Sequence, residues 1–317
     1  MAETRREFTK ALLVGLGLIT IQRPIEALEL SRPKPPSPVY ENITHTKPEW
    51  KEISKGLEFT LVEVHRNNDL VDKIAVLRAD SQYNKLNVYT HFNGTSLSET
   101  PLYNIQGWQT YSGAIAMFNS AQYEAEPWGQ PCGLLLARGK RLGPKTHKQA
   151  RGILVAEPRN NNLPLIDLID LKYEKFDADK TPYTEAVMHW PILLDRKENI
   201  RVKVTDWQAN RTVVGKDNNE KFLVFTTLGG YFTLYNFGKF LKESNHRLDK
   251  GFNINTAMNM DGGYEAEMIV KTPNFKFLTY GQYETYGTSP SQNVSIANAK
   301  IGLPTAIGIS PRNSKQK

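Results

Sequence analysis

The segment Asn259-Met-Asp-Gly-Gly263 places one carboxylate at a corner between two apolar stretches, with two glycines directly behind it. Glycine lacks a Cβ, so Gly262 and Gly263 can take positive φ and bring backbone amides close to an oxyanion. Asp261 beside them could attack an electrophilic carbon or activate water. Asp-Gly-Gly is also a common turn, so further groups are needed to give this one chemical meaning. Arg211 opens Arg211-Thr-Val-Val-Gly-Lys-Asp217, and its planar fork suits phosphate oxygens; the other reading is a strand residue paired with a carboxylate. Asp217 either meets a ligand or caps the turn at 216–220. Asn119 ends an apolar run and either donates to a sugar hydroxyl or phosphate oxygen, or satisfies backbone in a buried loop. Glu265 and Glu267 lie two apart and read as solvated edge carboxylates; replacing a missing acid or binding a metal is the sharper alternative.

Other reactive residue types are scattered. The six histidines have no paired spacing of the kind that holds zinc, and the single cysteine, Cys132, sits in an apolar run as a small hydrophobe. No metal and no cofactor are expected. Basic residues at 138–151 read as a solvated hairpin and loop that could also meet an anionic glycan. Trp128, between Pro127 and Gly129, is the tryptophan best placed to stack on a sugar ring.

These groups need a scaffold, and from residue 57 onward short β-branched and aromatic stretches alternate with Gly, Asn, Asp and Pro, which favours strands. Leu57, Phe59 and Leu61 should face inward. Arg138-Gly-Lys140 and the turn at 216–220 should close hairpins. Leu234, Phe237 and Leu241 recur at helical spacing after Thr233, which predicts a capped helix over 234–245 packed on the sheet. No repeat of 20–50 residues is visible. The expected fold is one sheet-rich α+β domain over 56–313, a few helices packing on mixed β-sheet, with a polar tail at 314–317.

Ahead of it, paired arginines at 5 and 6 precede an eleven-residue uncharged apolar run at 11–21, too short to cross a bilayer as a helix. This reads as a twin-arginine-like signal peptide over 1–27, giving a bacterial protein exported to the periplasm or beyond, with no membrane span once the signal is removed. Four prolines within 31–38 make 28–55 a linker. The chain has 317 residues, 39% of them hydrophobic, and a net charge of +7. That excludes disorder and collagen and leaves no dense basic patch for nucleic acid.

Taken in order, Asn119 after its apolar strand, Pro131-Cys-Gly-Leu134, Arg211-Thr-Val-Val-Gly-Lys-Asp217, the 234–245 helix, Asn259-Met-Asp-Gly-Gly263 and the closing strand before Arg312 resemble the phosphodiester glycosidase family. The resemblance covers about 56–313. It implies hydrolysis of a sugar joined through its anomeric carbon to a phosphodiester, with Asp261 and Arg211 as catalytic residues. Asn119, Asp217, Asn259, Gly262, Gly263 and Glu265 would form the substrate-binding set. The implied partner is a carbohydrate phosphodiester or anionic glycan of the cell envelope; the alternative is a non-catalytic glycan-phosphate binding protein on the same fold. Two departures stand out: Tyr264 and Glu265 replace small residues, and Asn119-Ser-Ala-Gln122 replaces Asn-Gly-Gly-Phe.

Overall fold

The structure, a computed structural model, describes residues 43–92, 102–124, 129–246, 251–285, 301–312 and the backbone of 293–295. The segment read as a signal peptide, the start of the linker, Trp128 and the tail at 314–317 lie outside these residues.

Among the described residues the fold is mostly β, its strands numbered in chain order. One sheet of eight strands runs β1 (Ile43–His45), β3 (Leu57–Arg66), β4 (Asp69–Ala79), β14 (Phe222–Thr227), β13 (Thr212–Asp217), β15 (Ile254–Asn259), β12 (Ile192–Leu194), with β2 (Lys51–Ser54) paired to β3. A second sheet is ordered β10 (Ile166–Asp170), β9 (Gly152–Pro158), β11 (Tyr183–His189), β7 (Leu135–Ala137), β8 (Lys140–Arg141). A third is ordered β17 (Phe275–Thr279), β16 (Met268–Thr272), β6 (Ala116–Asn119), β20 (Thr305–Pro311), β5 (Asn84–Thr90). A short ribbon pairs β18 (Tyr283–Thr285) with β19 (Asn293–Ser295). One buried cluster joins all three large sheets, with Phe59 and Leu77 from the first, Leu135 and Leu154 from the second, and Phe118 and Ile307 from the third.

Two α-helices flank the sheets among the described residues. Helix α2 (Leu234–Asn245) starts where Thr233 accepts from the Asn236 N–H and buries Phe237, Phe240 and Leu241 against Leu193 and Ala257. It occupies the range its spacing predicts. Helix α1 (Ile105–Ser112), capped by Asn104 and ended by Gly113 at φ +67°, covers the third sheet with Ile105 and Trp108. Helices are therefore accessories to a β scaffold, and the α+β expectation holds only in its sheet-rich part.

Two further expectations are corrected. The sheet begins within the expected linker, because Ile43 and His45 are buried and β1 and β2 both pair with β3. On β3 the inward face changes midway: Leu57 and Phe59 enter the shared core, while Val62 and Val64 pack toward α2, which leaves Leu61 exposed. Both hairpins form as expected, with Arg138 and Gly139 at φ +52° and +77° turning β7 into β8, and β13 pairing β14.

Glu267 is the largest departure from a solvated edge. It is wholly buried, and one carboxylate oxygen accepts the Ile105 N–H at 3.1 Å at the start of α1. Burial pushes its pKa up to about 9, the Ile105 bond opposes that, and nearby Glu265 adds to it. Burial likewise raises Glu185 to about 7. A folded-state pKa above the unfolded value means that the native state holds the proton longer, so stability is full at low pH and falls as pH rises toward the folded pKa. Between pH 7 and 9 Glu267 should be the main contributor, about 3 kcal/mol at 1.36 kcal/mol per unit. Melting curves of the wild type should decline across that interval, while Glu267→Gln, which cannot ionise, should stay nearly level. Parallel decline of both would remove Glu267 as the cause.

Candidate functional site

β13 and β15 run antiparallel with Val213 opposite Asn259, Val214 opposite Met258 and Gly215 opposite Ala257. Continuing that register past the strand ends sets Arg211 opposite Asp261, and the bond from the Met260 N–H to Thr212 O at 2.8 Å carries the pairing through the step between. Residues distant in sequence thus meet by strand register. Both are buried, Arg211 at 6% and Asp261 at 3% exposure.

The Asp261 corner is held on several sides. Its N–H donates to Ser120 O at 3.1 Å, its carbonyl accepts from Asn119 Nδ2 at 2.6 Å, and Oδ1 accepts the Gly262 N–H at 3.0 Å. Asn119 Oδ1 accepts from Thr212 Oγ1 at 2.5 Å and the Glu267 N–H at 3.3 Å. Asn119 therefore ties β6 and β13 to the corner through bonds to protein groups, the Asp261 carbonyl, the Thr212 hydroxyl and the Glu267 N–H. The Gly263 N–H donates to Asn210 O at 2.9 Å. With the Gly262 amide on the Asp261 side chain, neither glycine amide is held open for an oxyanion, contrary to the expectation from sequence.

The two glycines are required for different reasons. A Cβ at Gly262 would lie 2.9 Å from Asn210 O and 3.6 Å from Arg211 Nη1, so close approach demands glycine. Gly263 has φ +73°, and a Cβ there would fall on the Glu284 carboxylate. Left-handed backbone costs a residue bearing Cβ roughly 1–2 kcal/mol. Gly262→Ala and Gly263→Ala should each lower the melting temperature by several degrees; unchanged melts would show that the corner relaxes freely.

Arg211 acts as a clamp between loops. Nε donates to Phe232 O at 3.1 Å, Nη2 to Trp207 O at 2.7 Å, and the Nη1 side faces Gly262. It is thus neither a surface residue nor a side chain bonded only to a ligand. Asp217 sits at the far end of β13, about 17 Å of strand from Thr212 at ~3.4 Å per residue. There it accepts the Asn219 and Lys221 N–H groups at 2.8 Å each, so it caps the turn and does not reach the corner. Glu265 is half-buried in the turn Gly263–Glu265 and accepts from Tyr123 Oη at 3.1 Å, which fixes its carboxylate beside the corner. The Asn259 N–H donates to Pro191 O at 3.0 Å, and its carbonyl meets His189 Nδ1 at 2.6 Å.

Three residues at the corner, Ser120, His189 and Glu284, were not visible as site residues in the sequence. Ser120 is 1% exposed, and its Oγ, like Asn259 Oδ1, has no hydrogen-bond partner. A buried polar atom without a partner costs about 1–3 kcal/mol, which a polar ligand or water would offset. Fully buried His189 stacks on Trp190 with centroids 5.1 Å apart. Glu284, 2% exposed, reaches Gly263 from β18. The only signal for Ser120 was its place in the departure Asn119-Ser-Ala-Gln122; Glu284 gave none. No group of three or more metal-ligating side chains occurs among the described residues. In the basic hairpin, Arg141 and Lys145 both pair with Asp179.

The arrangement joins a buried carboxylate, a buried guanidinium and partnerless polar atoms, a set suited to a polar, anionic ligand. In fold, the chain is similar to the catalytic domain of zebrafish N-acetylglucosamine-1-phosphodiester alpha-N-acetylglucosaminidase, auto-inhibited by its pro-peptide, at TM-score 0.55 and 14% identity over 85% of this chain and 88% of that one. It is also similar to a hypothetical protein from Synechocystis, at TM-score 0.51 and 9% identity over 84% of this chain and 64% of that one. No curated protein matches the chain in sequence. Residues 112–310, well over half of the length, match the phosphodiester glycosidase family and contain every group at the corner, so this chain belongs to that family.

Proposed function

We propose that the protein hydrolyses sugar 1-phosphodiesters, releasing the sugar from a phosphomonoester. The observation that carries this reading is the register pairing of buried Arg211 and Asp261 across the ends of β13 and β15, beside the double glycine. Asp261 presents negative charge to the anomeric carbon, where positive charge develops as the glycosidic bond breaks. The Arg211 guanidinium favours the phosphate through its field and the Nη1 edge beside Gly262. The leaving group is a phosphomonoester, so its departure needs little help from an acid. Asn119 and Ser120 hold the backbone of the Asp261 corner, which keeps the carboxylate in place without movement during the reaction. Asn259 Oδ1 and Ser120 Oγ supply the polar contacts for sugar hydroxyls.

Family membership supports the reaction class, and the 11–21 apolar run after paired arginines supports export, which sets the substrate among cell-envelope or extracellular glycans. The test is incubation of the protein with phosphodiesters of N-acetylglucosamine and glucose, followed by assay of free reducing sugar. Sugar release supports the reading. Saturable binding of these esters without release would favour a glycan-phosphate binding protein instead.

A further inference from the structure

A second buried carboxylate converges on the same double glycine. Glu284 comes from β18, joined to the segment ahead of Arg211 by the Ala209–Glu284 bridge. Asn210 Oδ1 accepts the Gln282 and Tyr283 N–H groups at 2.9 and 2.8 Å, and the Gln208 N–H donates to Thr285 Oγ1 at 2.9 Å. These bonds fix the strand on both sides of Glu284. Gly281 packs against Gly263 O so closely that it too has no room for a Cβ. The Glu284 carboxylate then fills the space that a side chain at Gly263 would occupy, while Arg211 Nη1 lies beside Gly262, 3.6 Å from where its Cβ would sit. Asp261 is two residues from Gly263. Ser120, whose carbonyl accepts the Asp261 N–H, and Asn259 each bury a polar side-chain atom without a hydrogen-bond partner, Oγ and Oδ1, which a polar ligand would satisfy.

Glycoside hydrolysis uses two carboxylates, and their roles follow from the leaving group. A phosphomonoester, with a second pKa of about 6, departs as a dianion at neutral pH without being protonated. A general acid is then unnecessary, and the remaining task is removal of a proton from water. Resting on the hydrolase reading, we propose that Glu284 is the second catalytic carboxylate of this site, the base for the attacking water. The bond from the anomeric carbon to the phosphate oxygen breaks with its electron pair on oxygen. A water oxygen bonds to the anomeric carbon, and the released water proton passes to Glu284 and then to solvent. Asp261 stabilises the positive charge at carbon during the exchange.

The experiment compares the full chain with Glu284→Gln, Glu284→Ala and Asp261→Asn on a sugar 1-phosphodiester, with and without sodium azide. Glu284→Gln keeps the side-chain size against Gly263 and should lose about 10²-fold or more in kcat with little change in KM. Azide attacks carbon without needing a base, so it should restore turnover to Glu284→Ala and give a glycosyl azide product. A group with only a structural role would not be rescued in this way. Wild-type kcat in Glu284→Gln, or a folded Glu284→Ala that azide fails to restore, overturns the assignment. If Glu284→Ala does not fold, kcat in the Gln variant decides. With Asp261→Asn inactive and Glu284→Gln fully active, the hydrolase reading stands and Glu284 alone is lost; absence of wild-type turnover removes both.

Discussion

Asp261→Asn should lower turnover of sugar 1-phosphodiesters by about 10³-fold, within the range seen when an acid–base or nucleophilic group is removed, while melting close to the wild type. The fold should survive because the backbone of this residue is held independently of its charge: its N–H donates to Ser120 O and its carbonyl accepts from Asn119 Nδ2. The bond from the Gly262 N–H to Oδ1 is kept by an asparagine carbonyl. What disappears is the negative charge that the proposed reaction sets against the anomeric carbon. Turnover and thermal melts measured on one preparation separate the two effects. Full activity in the folded variant would place the chemistry elsewhere.

Arg211→Ala should behave in the opposite way and destabilise the protein by about 3 kcal/mol or more. Two buried or part-buried carbonyls, Phe232 O and Trp207 O, lose their guanidinium donors, at about 1–3 kcal/mol for each group left unsatisfied. Gly262 also loses the group packed beside it. Arg211→Lys keeps the charge but cannot bridge two carbonyls with a planar fork, so it should recover only part of the loss. Denaturant unfolding of both variants tests this. A folded Arg211→Ala of wild-type stability would show that the guanidinium serves substrate alone.

Legibility in the sequence followed the range of the interaction. Helix α2 could be read because Thr233, Phe237 and Leu241 carry cap and period within one short stretch. Helix α1 could not, because Gly107 interrupts it and reads as a breaker; that glycine is there because Tyr103 packs within 2.8 Å of where a Cβ would sit. Hairpins at 138–139 and 216–220 were legible from turn chemistry, whereas the strands at 43–45 and 51–54 were hidden by the neighbouring prolines. Family resemblance brought Asp261, Arg211 and Asn119 together; strand register explains why Asp261 and Arg211 meet, and Asn119 joins them from the end of β6 in another sheet through its bond to the Asp261 carbonyl. Their individual tasks were not legible: whether Asn119 and Arg211 bond to backbone, or Asp217 caps a turn, depends on partners set by tertiary packing. Glu284 lies in Gly281-Gln-Tyr-Glu-Thr285, a stretch without periodicity, and reaches the corner only through its bridge to Ala209. Glu267 was misread because its alternation with Glu265 suggested a solvated strand, while the turn at Gly263–Glu265 ends that alternation and the packing of α1 covers the carboxylate.

In the proposed reaction the bond broken lies between the anomeric carbon and oxygen. Hydrolysis of an N-acetylglucosamine 1-phosphodiester in water enriched in ¹⁸O, with products analysed by mass spectrometry, tests it directly. The label should appear on the anomeric hydroxyl of the released sugar and not in the phosphomonoester. Label in the phosphate would mean attack at phosphorus, and would contradict the assignment of Asp261 to the anomeric carbon.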